Sequence, residues 1–158
     1  MPKAEVLVVR PLALEIIWEG ERLQNINLGW AKDRAQTKDL SGPASALRTR
    51  FARYVRSEPV SWPALPLAWD TLTPFSGLVL SRLAKEVPFG RTISYGGLAA
   101  LAGSPKAARA VGQAMARNPW PLIVPCHRVL GADGRFTGFG PGLSMKEYLL
   151  RLEGFRGF

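Results

Sequence analysis

Residues 94–117 read SYGGLAALAGSPKAARAVGQAMAR. Ser94 is a helix-capping residue type, and the pattern after it predicts a short helix from Tyr95 to Ala102. Gly103-Ser104-Pro105 makes a tight turn. A second helix is expected from about Lys106 to Arg117, where Asn118-Pro119 stops it. Two short helices joined by a Gly-containing turn are the outline of a helix-turn-helix. At about 100° per residue, Ala107, Ala110, Val111, Ala114 and Met115 form a core-facing stripe on the second helix. The other side holds Ala108 and Gly112 beside Arg109, Gln113 and Arg117. Major-groove readers present several long polar side chains to base edges. Here half of the outer face is nearly bare, which lets a helix approach closely and suits a narrow groove. Gly112 costs about 1 kcal/mol against Ala in a helix, so close approach is a reason for it. The alternative is that this face packs closely on another part of the protein.

Upstream, Thr73 can cap a helix that starts at Pro74 and runs to about Glu86, ended by Pro88 and Gly90. Further back the pattern changes. Glu5 to Arg10, Leu12 to Trp18 and Arg22 to Leu28 read as strands, with Glu19-Gly20-Glu21 as a hairpin turn. Pro43 to Ser57 has helical spacing, with Leu47, Phe51, Tyr54 and Val55 on one face and Arg48, Arg50, Arg53 and Arg56 mostly outside. Pro59, Pro63 and Pro66 then mark a connector. The expected fold class is therefore α/β: a small N-terminal antiparallel sheet plus helix, followed by a mainly helical C-terminal domain with a helix-turn-helix. Residues 1–72 are read as a support domain with its connector, and residues 73–158 as the functional domain.

Composition limits the partners. Hydrophobic residues make up 47% of the chain, which suits a packed core and argues against disorder. No apolar run approaches the roughly 20 residues that span a bilayer, and Met1 to Arg10 has no signal-peptide core. A single cysteine cannot close an internal disulfide, so a reducing, cytoplasmic setting is expected. One Cys and one His are too few for a structural zinc site, so no metal is expected. The formal net charge is +9, unevenly placed: residues 1–72 carry 10 basic and 8 acidic side chains, residues 73–158 carry 11 and 4. The excess lies in the half that holds the helix-turn-helix, where a polyanion such as nucleic acid is the natural partner.

That half also contains Pro125-Cys126-His127-Arg128-Val129, with the only cysteine beside the only histidine. A thiolate is the nucleophilic form of cysteine, and a nearby base supplies it. A lone cysteine is more often a small buried hydrophobe, and neighbours in sequence need not touch. The residues around the pair carry the decision.

Val87-Pro88-Phe89-Gly90, Ile93-Ser94-Tyr95, Ala107-Ala108-Arg109-Ala110-Val111-Gly112, Asn118-Pro119, Pro125 to Val129, and Lys146 with Leu149-Leu150 and Glu153-Gly154 occur in one order between Thr73 and Gly154. In this the chain resembles the O6-alkylguanine-DNA alkyltransferases, the methylated-DNA–protein-cysteine methyltransferases. The first 72 residues resemble that family only in layout. The resemblance implies alkylated double-stranded DNA as partner, bound through the minor groove, no cofactor, and no obligate protein partner. It implies Cys126 as nucleophile and acceptor, His127 as its base, Glu153 as orienter of the imidazole, and Tyr95 as donor to guanine N3. Arg109 would fill the gap left by the flipped nucleotide, with Ser94, Ala108, Gly112, Gln113 and Arg117 along the DNA. Asn118 would tie the recognition helix to the active-site loop, and Pro121 and Val129 would wall the pocket.

The chain departs from the family in places. Phe139 stands where many members have tyrosine, and Gly140 where some have serine. Trp120 is larger than expected and is a candidate to alter the pocket rim, and Ser76 replaces a frequent glutamine. Three other readings compete, one of them a cysteine hydrolase unrelated to DNA, which would leave the basic helix and Arg109 unexplained. A non-enzymatic lesion sensor of the alkyltransferase-like kind would replace the cysteine, which Cys126 opposes. A transcriptional regulator would need long base readers that the second helix lacks.

Overall fold

The computed structural model describes residues 2–157 and divides at Ala68/Trp69 into two compact units. In the first, β1 (Pro2–Val9), β2 (Leu12–Glu19) and β3 (Arg22–Trp30) form an antiparallel sheet in that order. Leu12, Leu14, Ile16 and Trp18 alternate along β2 and are all buried, as a half-covered antiparallel sheet requires. Helix α1 (Gly42–Val55) contributes Ala44, Leu47, Phe51 and Tyr54 to the same core. Val55, expected on that face, is only half-buried. Ser41 caps α1, its hydroxyl accepting from Ala44 N. The buried Glu5 carboxylate on β1 accepts from Ser41 N at 2.6 Å, Ser41 Oγ at 2.8 Å and Trp18 Nε1 at 2.8 Å. It therefore joins the sheet to the start of the helix. Burial would raise its pKa, but these donors outweigh burial and hold it below the usual carboxylate value.

The second unit is mainly helical. Thr73 caps α2 (Pro74–Glu86), which buries Val79, Leu80 and Leu83. Ser94 caps α3 (Tyr95–Leu101), accepting from Gly97 N at 2.9 Å. Helix α4 (Ala108–Ala116) starts later than the sequence suggests. Residues 104–107 form a turn closed by Ala107 N donating to Ser104 O, and no side chain caps the helix. A short 3₁₀ turn (Cys126–Arg128) leads into β5 (Val129–Leu130), and α5 (Leu143–Leu152) follows. β5 pairs in parallel with β4 (Ile93–Ser94), with Ile93 opposite Val129 and Ser94 opposite Leu130. This two-residue pairing places the start of α3 beside the chain that has just passed Cys126.

The buried face of α4 is narrower than the expected stripe and turned about its axis. Val111, Ala114 and Met115 are buried, whereas Ala110 is exposed and Ala107 half-buried. Gly112 lies on the half-buried flank, where an added Cβ would meet the Tyr95 ring at 3.8 Å. The close neighbour of this bare position is therefore α3, through Tyr95. Trp120 is fully buried and stands edge-on to Trp69, with ring centroids 4.9 Å apart. It fills the core of this unit and does not reach the cavity rim.

Candidate active site

Cys126 is 7% exposed and His127 is fully buried. The turn that carries them is anchored by Arg128, whose Nη1 donates to Val87 O at 2.7 Å. The rest of its guanidinium grips Glu153, with Nε at 2.8 Å from Oε1 and Nη2 at 3.2 Å from Oε2. Glu153 caps the end of α5. Its Oε2 lies 2.7 Å from His127 Nε2, and its Oε1 accepts from Gly90 N at 3.3 Å. Gly90 has φ +84°, a left-handed conformation that favours glycine and turns this N–H toward the carboxylate. Burial alone would raise the Glu153 pKa, but His127 and Arg128 outweigh it and hold it at about 2.

The carboxylate also sets the tautomer. With Nε2–H donating to Glu153, the lone pair of a neutral imidazole lies on Nδ1. Nδ1 is buried and has no hydrogen-bond partner among the described residues. Burial lowers the His127 pKa, and Glu153 only partly restores it. Burial also pushes the Cys126 thiol up to about 11, against the opposing pull of the Asn118 amide and the Lys146 charge. The resting pair is thus a neutral thiol and a neutral base.

Cys126 lines a cavity of 330 Å³ together with Tyr95, Gly112, Met115, Ala116 and the loop residues Gly138, Phe139 and Gly140. The Phe139 ring lies 6.4 Å from that of His127. The structure thus gathers Cys126, Tyr95, Gly112, Phe139 and Gly140 around one space, and His127 and Glu153 pair outside its lining. Pro121 and Val129 are buried outside the lining. Asn118 is a clasp: its Nδ2 donates to Val124 O at 2.9 Å and its Oδ1 accepts from Trp120 N at 3.0 Å. Arg109 and Gln113 are exposed on α4, Arg117 is exposed just after it, Ala108 is half-buried on it, and Ser94 precedes α3. Among the described residues no three His, Cys, Asp or Glu side chains cluster as a metal ion would need.

Three participants carry no role in the sequence reading. Arg128 is the cation paired with Glu153. Lys146 on α5 is fully buried, and its Nζ donates to Val129 O at 2.8 Å. Burial lowers its pKa to about 8. Thr137 hydrogen-bonds through its hydroxyl to Tyr95 Oη. Arg128 and Lys146 lie inside the motif segments, so their presence was visible, but a buried cation is not distinguishable from a surface one by residue type.

Residues 74–155 match the family described as "6-O-methylguanine DNA methyltransferase, DNA binding domain". A methylated-DNA–protein-cysteine methyltransferase from Methanosarcina acetivorans is 59% identical over 70 residues, 44% of this chain and 45% of that protein. The chain spans about half the length of the curated relatives it matches. The O6-methylguanine methyltransferase of Mycobacterium tuberculosis superposes with a TM-score of 0.78 at 34% identity, over 97% of this chain and 93% of that one. The structure of that organism's OGT in complex with DNA superposes with a TM-score of 0.75 at 34% identity, over 94% of this chain and 90% of that one. The fold is that of the O6-methylguanine methyltransferases. The chain belongs to the 6-O-methylguanine DNA methyltransferase family.

Proposed function

We propose that the protein repairs alkylated DNA by direct reversal, moving the alkyl group from O6 of guanine to Cys126 Sγ. One observation carries the reading: the sole thiol lines a 330 Å³ cavity beside an imidazole committed to Glu153 through Nε2 and unpartnered at Nδ1. Nδ1 takes the thiol proton through one water, and Glu153 stabilises the resulting imidazolium. Sulfur then displaces O6 at the alkyl carbon. The C–O bond breaks and its electron pair stays on the guanine, whose N3 receives the Tyr95 proton. The product is a thioether, so each molecule acts once.

The reacting atom lies inside the stacked duplex, so the nucleotide is flipped into the cavity. Helix α4 lies along the minor groove with Ala108, Gly112, Gln113 and Arg117, aided by Ser94, and Arg109 fills the vacated stack. Phe139 packs on the base, and the backbone N–H of Gly140 meets O6. The carbonyls of Cys126 and Val129 accept from the exocyclic amine. Val129 O already accepts from Lys146 Nζ, and its second lone pair serves the base. Asn118 holds the loop, and Pro121 and Val129 back the wall. Residues 73–158 perform binding and transfer, and residues 1–72 support them. DNA as substrate and a thiol that must stay reduced support a cytoplasmic setting. No helix among the described residues is long and apolar enough to cross a membrane.

The test is intact-mass measurement after incubation with a duplex containing O6-methylguanine. The expected result is a gain of one methyl per protein, on Cys126, absent in Cys126→Ser. Continued methyl removal beyond one per protein would refute the mechanism, as would a gain that survives Cys126→Ser.

A further inference from the structure

The Thr137 hydroxyl has no place in the scheme above, yet it meets the phenol on which that scheme depends. Tyr95 Oη and Thr137 Oγ1 are hydrogen-bonded although 42 positions separate them in the chain. Thr137 is held from behind. Its carbonyl lies 3.5 Å from Lys146 Nζ, which donates at 2.8 Å to Val129 O. Lys146 is fully buried and has little freedom to leave. A line of contacts therefore runs from Val129, just after the nucleophile's turn, through Lys146 and Thr137 to the phenol. On its other side the Tyr95 ring lies close to Gly112.

Two hydroxyls that share one hydrogen bond use one proton in it, and the other remains available. If Tyr95 donates to Thr137, its proton is spent within the protein. If Thr137 donates, the phenol proton is left for a ligand. We propose that Thr137 is a positioning residue for Tyr95: its hydroxyl donates to Oη and reserves the phenol proton for N3 of the flipped guanine. The proposal rests on the alkyl-transfer reading. As the C–O bond breaks, the proton passes from Oη to N3 and negative charge grows on Oη. The Thr137 hydrogen bond then serves a charged acceptor and strengthens. An interaction stronger in the transition state than in the ground state raises the transfer rate rather than substrate affinity.

Single-turnover benzyl transfer from free O6-benzylguanine tests this without DNA flipping. Thr137→Val keeps the shape and removes the hydroxyl; a loss of about tenfold in rate is expected. Thr137→Ser restores the hydroxyl and should return the rate to within about twofold of wild type. In a Tyr95→Phe background, Thr137→Val should cost nothing further, because the group it serves is gone. A merely structural role would slow both backgrounds alike. A wild-type rate in Thr137→Val, or an equal loss in both backgrounds, overturns the proposal. Where wild type refuses the benzyl substrate, the same variants are compared on an O6-methylguanine duplex; if wild type takes an alkyl group from neither, the alkyl-transfer reading falls and takes the proposal with it. Wild-type transfer with a silent Thr137→Val removes only the role of Thr137.

Discussion

Each unit buries one glutamate, and the two are used in opposite ways. Glu5 accepts only neutral donors, the indole of Trp18 and the amide and hydroxyl of Ser41. All of those donors belong to the scaffold, and none has a reactive atom left over. Glu153 accepts from the Arg128 guanidinium, the His127 ring and Gly90 N. One of its partners, His127, keeps a buried nitrogen without a hydrogen bond among the described residues. A buried carboxylate whose partners are all satisfied is a structural joint. The same group bonded to a ring with an unsatisfied far side orients a base.

Breaking the second arrangement has the largest expected effect. His127→Ala should slow transfer by about a hundred- to ten-thousandfold at neutral pH, the usual range for loss of a general base. Its pH–rate profile should climb toward the thiol's own value of about 11. An isolated thiol titrates near 8.5, so burial moves that limb well into the alkaline range. Wild type should stay active below pH 6.5, because His127 remains neutral there. A His127→Ala profile that overlays wild type removes the relay.

Acid unfolding sharpens the contrast. The Glu153 pKa falls from 4.5 to about 2 on folding. A lowered carboxylate pKa adds stability that is fully present above 4.5 and is lost as pH falls toward 2. The amount is about 3 kcal/mol. Denaturant melts of wild type between pH 5 and 2 should show the loss. In Glu153→Gln that pH-dependent part should be missing, and stability should be lower at neutral pH because Arg128 is left unpaired. A variant with the wild-type slope would mean that other carboxylates govern acid unfolding.

Glu5→Gln is the counterpart. Its amide oxygen still accepts, but its NH₂ would face donors, so a loss of about 1–3 kcal/mol in stability is expected. The benzyl-transfer rate at 25 °C should not change. A slowed transfer in the folded variant would show that Glu5 is more than a joint. The smallest effect is expected of Phe139→Tyr. It keeps the ring in the cavity wall and adds one neutral hydroxyl, worth about 0.5–1.5 kcal/mol net, so single-turnover rates should change severalfold at most. A large gain would mean that the ring is poorly seated without the hydroxyl.

The legibility of the chain follows the length of its patterns. Three strands, α1 and the pair α3–α4 each repeat a period often enough to be read. The β4–β5 pairing involves Ile93, Ser94, Val129 and Leu130, two residues from each side, and no periodicity exists in two residues. The stripe expected on α4 includes Ala110, which the structure exposes, because alanine fits a core and a surface equally well. The size of Trp120 makes it a candidate for the pocket rim, but the side chain fills the core beside Trp69. Cys126, His127 and Glu153 were visible as a motif. That Arg128 shares the carboxylate and that Thr137 meets Tyr95 depends on long-range approach, which residue type does not encode.

Glu153 reaches back 25 positions to Arg128, 26 to His127 and 63 to Gly90. Protein synthesis runs the other way. A nascent chain that has passed residue 130 already holds the thiol and the imidazole, but nothing yet orients the ring or compensates the arginine beside it. On the proposed mechanism, the ring gains its orienting partner only when α5 docks and delivers its terminal carboxylate. Reactivity of the thiol would then report that the last helix is in place.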